Sequence, residues 1–358
     1  MSVQHFVGLS GGKDSLLTAI EALDRFERKP PLGNLLPRFV AADTGNEEHR
    51  WQNYIAYLER TLGITIEIVR ADFSREFAVR RSNIENEWRK EKRTRTHDAD
   101  CKSRGKKMTY RERMKRCCCP ERVSPPVPEH LIQRALGLLH PTGNPFLDLC
   151  MLKGRFPGAM SRFCTDRLKI EPMMALKRPY LEQGINIVEW LGERAEESPD
   201  RAKKPILQRI RHEHASQIIY RPIHLLRREE VFARIAHRGI EVHPLYGEGA
   251  SRLGCWPCIM CGKDEVAMLD AIAIERLREW EAIVAMVSRR QLATFFCAKV
   301  LPGPTGDDPG RAHIDAVVEW SKTNRGGKQF DMMQMRLLRE AEDTGVYCSR
   351  ESFAGCRG

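Results

Sequence analysis

The apolar run Phe6-Val7-Gly8-Leu9 passes directly into Ser10-Gly11-Gly12-Lys13-Asp14-Ser15, after which helical periodicity begins at Leu16. This order predicts a buried strand that turns sharply into a helix over a phosphate chain. Paired glycines let backbone N–H groups approach an anion, and the helix N-terminus adds partial positive charge. Lys13 can meet a phosphate, while Ser15 caps or contacts it. The spacing is neither that of the GxxxxGK(S/T) loop nor that of the GxGxxG fingerprint, so neither a kinase-like mononucleotide site nor a Rossmann cofactor site follows.

Phe39–Ala42 and Ile64–Val69 are further β-like runs, and Leu16–Phe26 and Trp51–Leu62 carry helical periodicity. Strands that alternate with helices predict a mostly parallel sheet with helices on its faces. Ile185–Leu191 reads as a later strand, Pro172–Leu181 as a helix or turn, and Leu225–Arg238 as an amphipathic helix. A chain of 358 residues holds one extended α/β unit with insertions, or two units. The expected division is 1–79 as the first part of a nucleotide-binding core, 80–160 as a basic cysteine-containing insertion, 161–263 as the rest of the core with a cysteine region, and 264–358 as a helical extension. The insertion contains a proline-rich break at 120–128 and a turn at Pro141-Thr142-Gly143-Asn144-Pro145, and 264–296 reads as strongly helical.

No apolar run approaches membrane-spanning length, and no basic segment followed by a long apolar stretch opens the chain, so a soluble cytoplasmic protein with no membrane partner is expected. In that compartment its 12 cysteines point to metal or sulfur chemistry rather than to a disulfide framework. The formal charge of +11 is unevenly spread: 89–116 holds thirteen Lys or Arg against four Asp or Glu, interrupted by Tyr110. Such a stretch could track a DNA or RNA backbone, or form a solvated rim that attracts anionic small substrates.

Asp43 falls where a strand meets a loop, the crevice position of an open parallel sheet. It could contact a nucleotide, help hold a metal–nucleotide complex, or serve as a turn acid. Asp14 could bind Mg through water or cap the new helix. Arg194 and Arg201 offer planar anion recognition, or surface ion pairs, with Arg162 and Lys169 as weaker candidates. Cys255-Trp256-Pro257-Cys258-Ile259-Met260-Cys261 is a compact CxxCxxC pattern whose three thiolates suit one metal centre, and Cys164 could close the set. All-cysteine ligation fits a 4Fe-4S cluster or tetrahedral Zn. Cys164 could instead carry sulfur or pack in the core. Cys117-Cys118-Cys119 converges poorly on one metal, whereas Cys348 and Cys356 could exchange thiols. His5, His49, His140 and His243 form no nucleophile–base order, and Trp51 and Trp190 read as packing residues.

Taken together, Ser10–Ser15, Ala42-Asp43-Thr44-Gly45-Asn46, Arg162-Phe163-Cys164-Thr165 with Leu168-Lys169, Gly192-Glu193-Arg194 with Glu197-Ser198 and Arg201, and Pro244-Leu245-Tyr246 leading to Gly254-Cys255 resemble the N-type ATP pyrophosphatases. Their relatives, the phosphoadenosine phosphosulfate (PAPS) reductases and the DNA- and tRNA-thiolation enzymes, share the pattern. The resemblance spans roughly residues 4 to 265 and implies an adenine-nucleotide alpha-hydrolase-like α/β core, an open mostly parallel sheet joined by the basic insertion and the helical C-terminal region. It implies an ATP–Mg site at Ser10, Gly11, Gly12, Lys13, Asp14, Ser15, Asp43, Thr44 and Gly45, with Arg194 and Arg201 on anionic groups. It also favours a 4Fe-4S cluster at Cys164, Cys255, Cys258 and Cys261, with Zn as the alternative.

The leading expectation is an ATP-dependent sulfur-transfer enzyme that adenylates an acceptor, releases pyrophosphate and lets a sulfur species displace AMP, with Lys13, Asp14 and Cys164 in catalytic roles. Its partner would be a cysteine desulfurase or a thiol reductant. The rivals are a PAPS or adenylylsulfate reductase that releases sulfite, and a nucleotide-responsive nucleic-acid-binding module with a structural metal. The tail Tyr347-Cys348-Ser349-Arg350 departs from the Glu-Cys-Gly tail of ordinary PAPS reductases.

Overall fold

The computed structural model describes residues 2–29, 35–95, 112, 119–158, 161–297 and 312–324. The loop motif does join strand to helix: β1 (Val3–Gly8) runs into α1 (Lys13–Arg28), followed by β2 (Arg38–Asp43), α2 (Trp51–Leu62), β3 (Ile66–Arg70) and α3 (Ser74–Glu87). A small antiparallel ribbon of β4 (Lys92–Arg95) and β5 (Glu121–Ser124) leads to α4 (Glu129–Leu138) and α5 (Pro145–Lys153). Next come the turn Phe163–Thr165 and the π-helical turn Asp166–Ile170, continuous with α6 (Glu171–Glu182). The sheet is completed by β6 (Asn186–Trp190), β7 (Leu207–Arg211) and β8 (Ser216–Tyr220), and α7 (Arg228–His237), α8 (Lys263–Ala267), α9 (Ala271–Met286) and α10 (Ile314–Ser321) follow.

The six-stranded sheet has the order β3-β2-β1-β6-β8-β7. Every pair is parallel except β7–β8, so the architecture is α/β with a mostly parallel sheet. The chain first builds outward from β1 to β3, then returns to β6 on the other side of β1. The loops after β1 and β6 therefore diverge at the carboxyl edge of the sheet, the crevice where such folds take ligands.

One sheet face packs α1, α2 and α7 through Val7, Leu16, Ile20, Trp51, Leu58, Val231 and Ile235. The opposite face buries Phe6, Val40, Leu181 and Ile187 under α6. A separate aromatic-rich core draws on Phe73 to Phe156 and on Leu245 to Val318 together. Phe146 stacks on Trp280 with ring centroids 5.4 Å apart, and Phe156 meets Phe295 at 5.4 Å. Trp256 and Cys261 belong to this core, so the helical layer anchors the cysteine-bearing loop from beneath.

The expectation of one helical run over 264–296 needs correction. The helix breaks before Asp270, whose carboxylate accepts from Ala273 N at 2.7 Å and caps α9 anew, and α9 ends at Met286. Gln291, at φ 53°, then turns the backbone so that Phe295 can reach the core. The β7–β8 hairpin had no counterpart in the sequence reading. Of the basic stretch 89–116, the described residues are 89–95 and Glu112; Cys117, Cys118, Cys348 and Cys356 lie outside the described residues. No helix among the described residues is long and apolar enough to cross a membrane.

Candidate active site

Gly11, with φ +88°, turns the chain from β1 into α1, and Gly12 is the N-cap residue. A Cβ on Gly11 would stand 3.3 Å from Trp51 Nε1, and the Trp51 indole itself donates to Ser10 O at 2.8 Å. Trp51 thus braces the loop as well as packing beneath it. Ser15 Oγ donates to Gly12 O at 2.8 Å and accepts from Ser10 N at 3.1 Å, closing the turn on itself. Its hydroxyl is therefore engaged within the loop.

Asp14 stands between two cations: Oδ2 meets Lys13 Nζ at 3.0 Å and Oδ1 meets Arg194 Nε at 2.6 Å. Burial lowers the proton affinity of Lys13, while Asp14 opposes that shift. Burial also works against the Arg194 charge, but Asp14 and then Glu196 more than offset it, and its pKa rises. The Lys13 ammonium also sits over the Tyr246 ring, 5.5 Å from its centroid. Arg194 therefore joins the loop directly. Arg201 lies one layer out, paired with Glu197 and, at 3.4 Å, with Glu193, which also holds Lys204 and Arg221. Both arginines have carboxylate partners that an incoming anion would have to share.

After β2, Asp43 Oδ1 accepts from Gly45 N at 2.8 Å and Oδ2 pairs with Arg70 Nε at 2.9 Å, so it shapes the turn. Gly45, at φ +80°, is clasped by Asn144: its Nδ2 donates to Gly45 O at 2.7 Å while its Oδ1 caps α5 by accepting from Leu147 N. Thr44 donates through Oγ1 to Glu47 Oε1 at 2.6 Å, and the same hydroxyl lies 3.7 Å from Cys255 Sγ. Trp256 N donates to Asn46 O at 2.7 Å. The loop after β2 and the cysteine loop are thus stitched together.

Cys164, Cys255 and Cys258 share one electrostatic neighbourhood, and Cys258 links it to Cys261. Burial pushes the Cys164 thiol up to about 11, with Cys255 and Cys258 adding to the shift. Burial likewise raises Cys255, against the pull of Lys169, and Cys261. Lys169, on the π turn, has its proton affinity raised chiefly by Cys255, then by Glu47, Cys258 and Cys164, against burial. Its side chain is open to solvent though protein encloses it on most sides, as are the partly accessible Cys164, Cys255 and Cys258. Cys261, by contrast, is buried in the core. Arg162 is exposed at the start of the Phe163–Thr165 turn.

Four thiols from two segments, with Lys169 and Arg252 nearby to offset thiolate charge, suit an all-sulfur centre in donor chemistry. Glu47 Oε2 is buried there without a hydrogen-bond partner. A tetrahedral zinc with Zn–S of about 2.3 Å would bring its sulfurs within about 3.8 Å of one another. Among the described residues, no three of these thiols all lie within 4.8 Å of each other. The group that does meet that limit is Glu48, His49 and Asp270, which could hold a small metal ion. Glu48 there already pairs with Arg50 Nε at 2.8 Å and with His49 Nδ1 at 3.0 Å.

Three contributors escaped sequence reasoning: Gly192, whose missing side chain admits the first turn of α1; Asn144; and the Tyr246 hydroxyl. Tyr246 and Gly192 stood inside recognised motifs, but nothing local announced their contacts across the fold. Asn144 showed only as a turn residue.

A family model described as "Phosphoadenosine phosphosulfate reductase domain" matches residues 4–261. A protein of Escherichia phage 186, named "Uncharacterized 37.8 kDa protein in gpa 5'region", is 37% identical over 349 residues, covering 93% of this chain and 92% of its own. The crystal structure of a PAPS reductase from Candida auris in complex with phosphate aligns at 12% identity and a TM-score of 0.35, covering 71% of this chain and 82% of that one. The match runs from β1 to the last cysteine of the CxxCxxC loop, and the chain belongs to the phosphoadenosine phosphosulfate reductase domain family of enzymes.

Proposed function

We propose that the protein reduces an adenylated sulfate, PAPS or adenylyl sulfate, to sulfite. The observation that carries this reading is the contact between two loops: Thr44 Oγ1 lies 3.7 Å from Cys255 Sγ, which puts a thiol beside the loop that would take the nucleotide. Family membership supports it as well. Lys13 and the N-terminus of α1 would neutralise the nucleotide phosphates, with Arg194 on a further anionic group. Asp43, Thr44 and Gly45 would form the opposite wall. The Cys164 thiol, once deprotonated with Lys169 as the stabilising cation, would attack the sulfate sulfur. The new S–S bond forms as the bond from sulfur to the phosphate oxygen breaks, and the adenosine phosphate leaves. A second thiol, Cys255 or Cys258, then attacks the Cys164 sulfur, sulfite departs, and a disulfide holds the oxidation. Sulfur(VI) becomes sulfur(IV), and an external thiol reductant returns the two electrons.

The Ser10–Ser15 loop, with its intact Gly-Gly-Lys-Asp order and the Lys13–Asp14–Arg194 chain, favours a second reading in which ATP–Mg is bound and an acceptor is adenylated before sulfur transfer. In that reading a 4Fe-4S cluster held by Cys164, Cys255, Cys258 and Cys261 would supply a place to hold or activate sulfur. A cluster puts an iron atom between each thiolate and the shared core, so it accommodates wider sulfur spacing than one zinc ion.

The test supplies PAPS, adenylyl sulfate or ATP separately with dithiothreitol under anaerobic conditions. The expected result is sulfite from a sulfonucleotide, abolished in Cys164→Ser. Pyrophosphate release from ATP without sulfite from either sulfonucleotide would overturn the reductase reading in favour of the second. Mössbauer spectra of 57Fe-enriched protein, with iron, zinc and sulfide quantified, decide whether the four thiols hold a cluster.

A further inference from the structure

The Tyr246 hydroxyl lies 3.1 Å from Lys13 N and 3.1 Å from Leu253 N. It accepts both N–H groups, one from the first turn of α1 and one from the segment that enters the CxxCxxC loop. Both lone pairs of one oxygen are thereby committed to loops more than two hundred residues apart in sequence. The ring is held edge-on against Phe232, with centroids 5.4 Å apart, and the Lys13 ammonium lies over it. A Cβ placed on Gly12 would stand 3.7 Å from the hydroxyl, so the oxygen sits against the glycine turn itself.

We infer that Tyr246 is a positioning residue that couples phosphate occupancy of the Ser10–Ser15 loop to the geometry of the cysteine-bearing loop. This inference rests on the nucleotide reading of that loop. The Lys13 N–H is among the first-turn donors that an anion at a helix N-terminus recruits. When a phosphate oxygen takes it, the hydroxyl is released to donate its own proton to the same phosphate while it still accepts from Leu253 N. Burial pushes its pKa up to about 12, so the proton is retained for donation. A hydroxyl that donates a hydrogen bond becomes a stronger acceptor in the next, so the Leu253 contact tightens when the loop is filled. By linkage, ordering the cysteine loop strengthens nucleotide binding by the same factor. A nucleotide would thus draw Cys255, two residues beyond Leu253, into place.

Hydrogen exchange read by mass spectrometry on the full chain, titrated with ATP and separately with PAPS, tests this. In the wild type, peptides covering 10–17 and 250–256 should both gain protection and share one midpoint. In Tyr246→Phe, which keeps the ring, nucleotide should still protect 10–17, with affinity lowered about fivefold. Protection of 250–256 should disappear. Protection of 250–256 that persists in Tyr246→Phe overturns the inference, and so does protection of 10–17 without 250–256 in the wild type. The wild-type titration stands even if the variant fails to fold, because unequal midpoints for the two segments also overturn it. No protection of 10–17 by either nucleotide would instead overturn the nucleotide reading, and the coupling with it.

Discussion

Gly192 lies so close to Asp14 that a Cβ at position 192 would stand 2.6 Å from the Asp14 carbonyl oxygen and 2.8 Å from Ser15 N. Those atoms are backbone in the first turn of α1 and cannot swing away. Gly192→Ala must therefore push the helix start off the loop after β6, an overpacking that costs about 1–3 kcal/mol. The unfolding free energy should fall by that amount, and calorimetric titration should show a loss of nucleotide affinity out of proportion to the stability change. Unchanged affinity would mean that the loop tolerates the displacement.

Asn144 performs two tasks that one substitution separates. Asp caps helices as well as Asn, so Asn144→Asp retains the α5 cap but replaces the donor to Gly45 O with a carboxylate oxygen. Stability should stay within about 1 kcal/mol of wild type while nucleotide affinity falls; Asn144→Ala, losing the cap too, should lower both. Equal effects of the two variants would contradict this division.

Glu281 is buried and accepts from Phe295 N at 2.7 Å, Ile314 N at 3.0 Å and His313 Nδ1 at 2.9 Å. An amide offers one acceptor oxygen where the carboxylate offers two. Glu281→Gln should cost about 1–3 kcal/mol in urea denaturation, through the N–H left facing the new NH2 group. Binding at the distant Ser10–Ser15 loop should hardly change, which calorimetry checks.

His5 Nδ1 accepts from Trp190 Nε1 at 3.1 Å, and burial lowers its pKa below the ordinary histidine value. Below about pH 6.5 the unfolded chain takes up a proton that the folded chain refuses. The unfolded state then binds more protons, so stability rises with pH in that window. Denaturant midpoints should fall as pH drops through about 6.5 and level off below the folded-state pKa. His5→Gln, which can still accept from the indole, should flatten part of that slope. An identical slope would exclude His5 as a contributor.

How far the sequence spoke depended on the range of the interactions. The β1–α1 turn was legible because paired glycines, a capping helix start and an apolar run are local, and α2 began and ended where its periodicity did, at Trp51 and Leu62. The β7–β8 hairpin was not legible: Leu207 is exposed on the edge strand, β7 alternates only between exposed and half-buried positions, and the one buried position of Ser216–Tyr220 is the polar Gln217. At the site, the residue types were readable but their partners were not. Asp14 could have faced a metal or a helix end, and only the fold sets Arg194 against it. The break before Asp270 was likewise hidden, because the apolar residues on both sides continue into the same core.

The aromatic core gives the chain an order of assembly. Phe146 can stack on Phe156 early, but its contacts with Trp280 and Phe295 need residues more than a hundred positions further along, so this core closes only once they have left the ribosome. The sheet needs only the chain through α7 to cover both faces and can form first. The cysteine loop is fastened to both layers, through Trp256 N on Asn46 O and the Trp256 side chain in the aromatic core, so its thiols come into register only when the late layer closes.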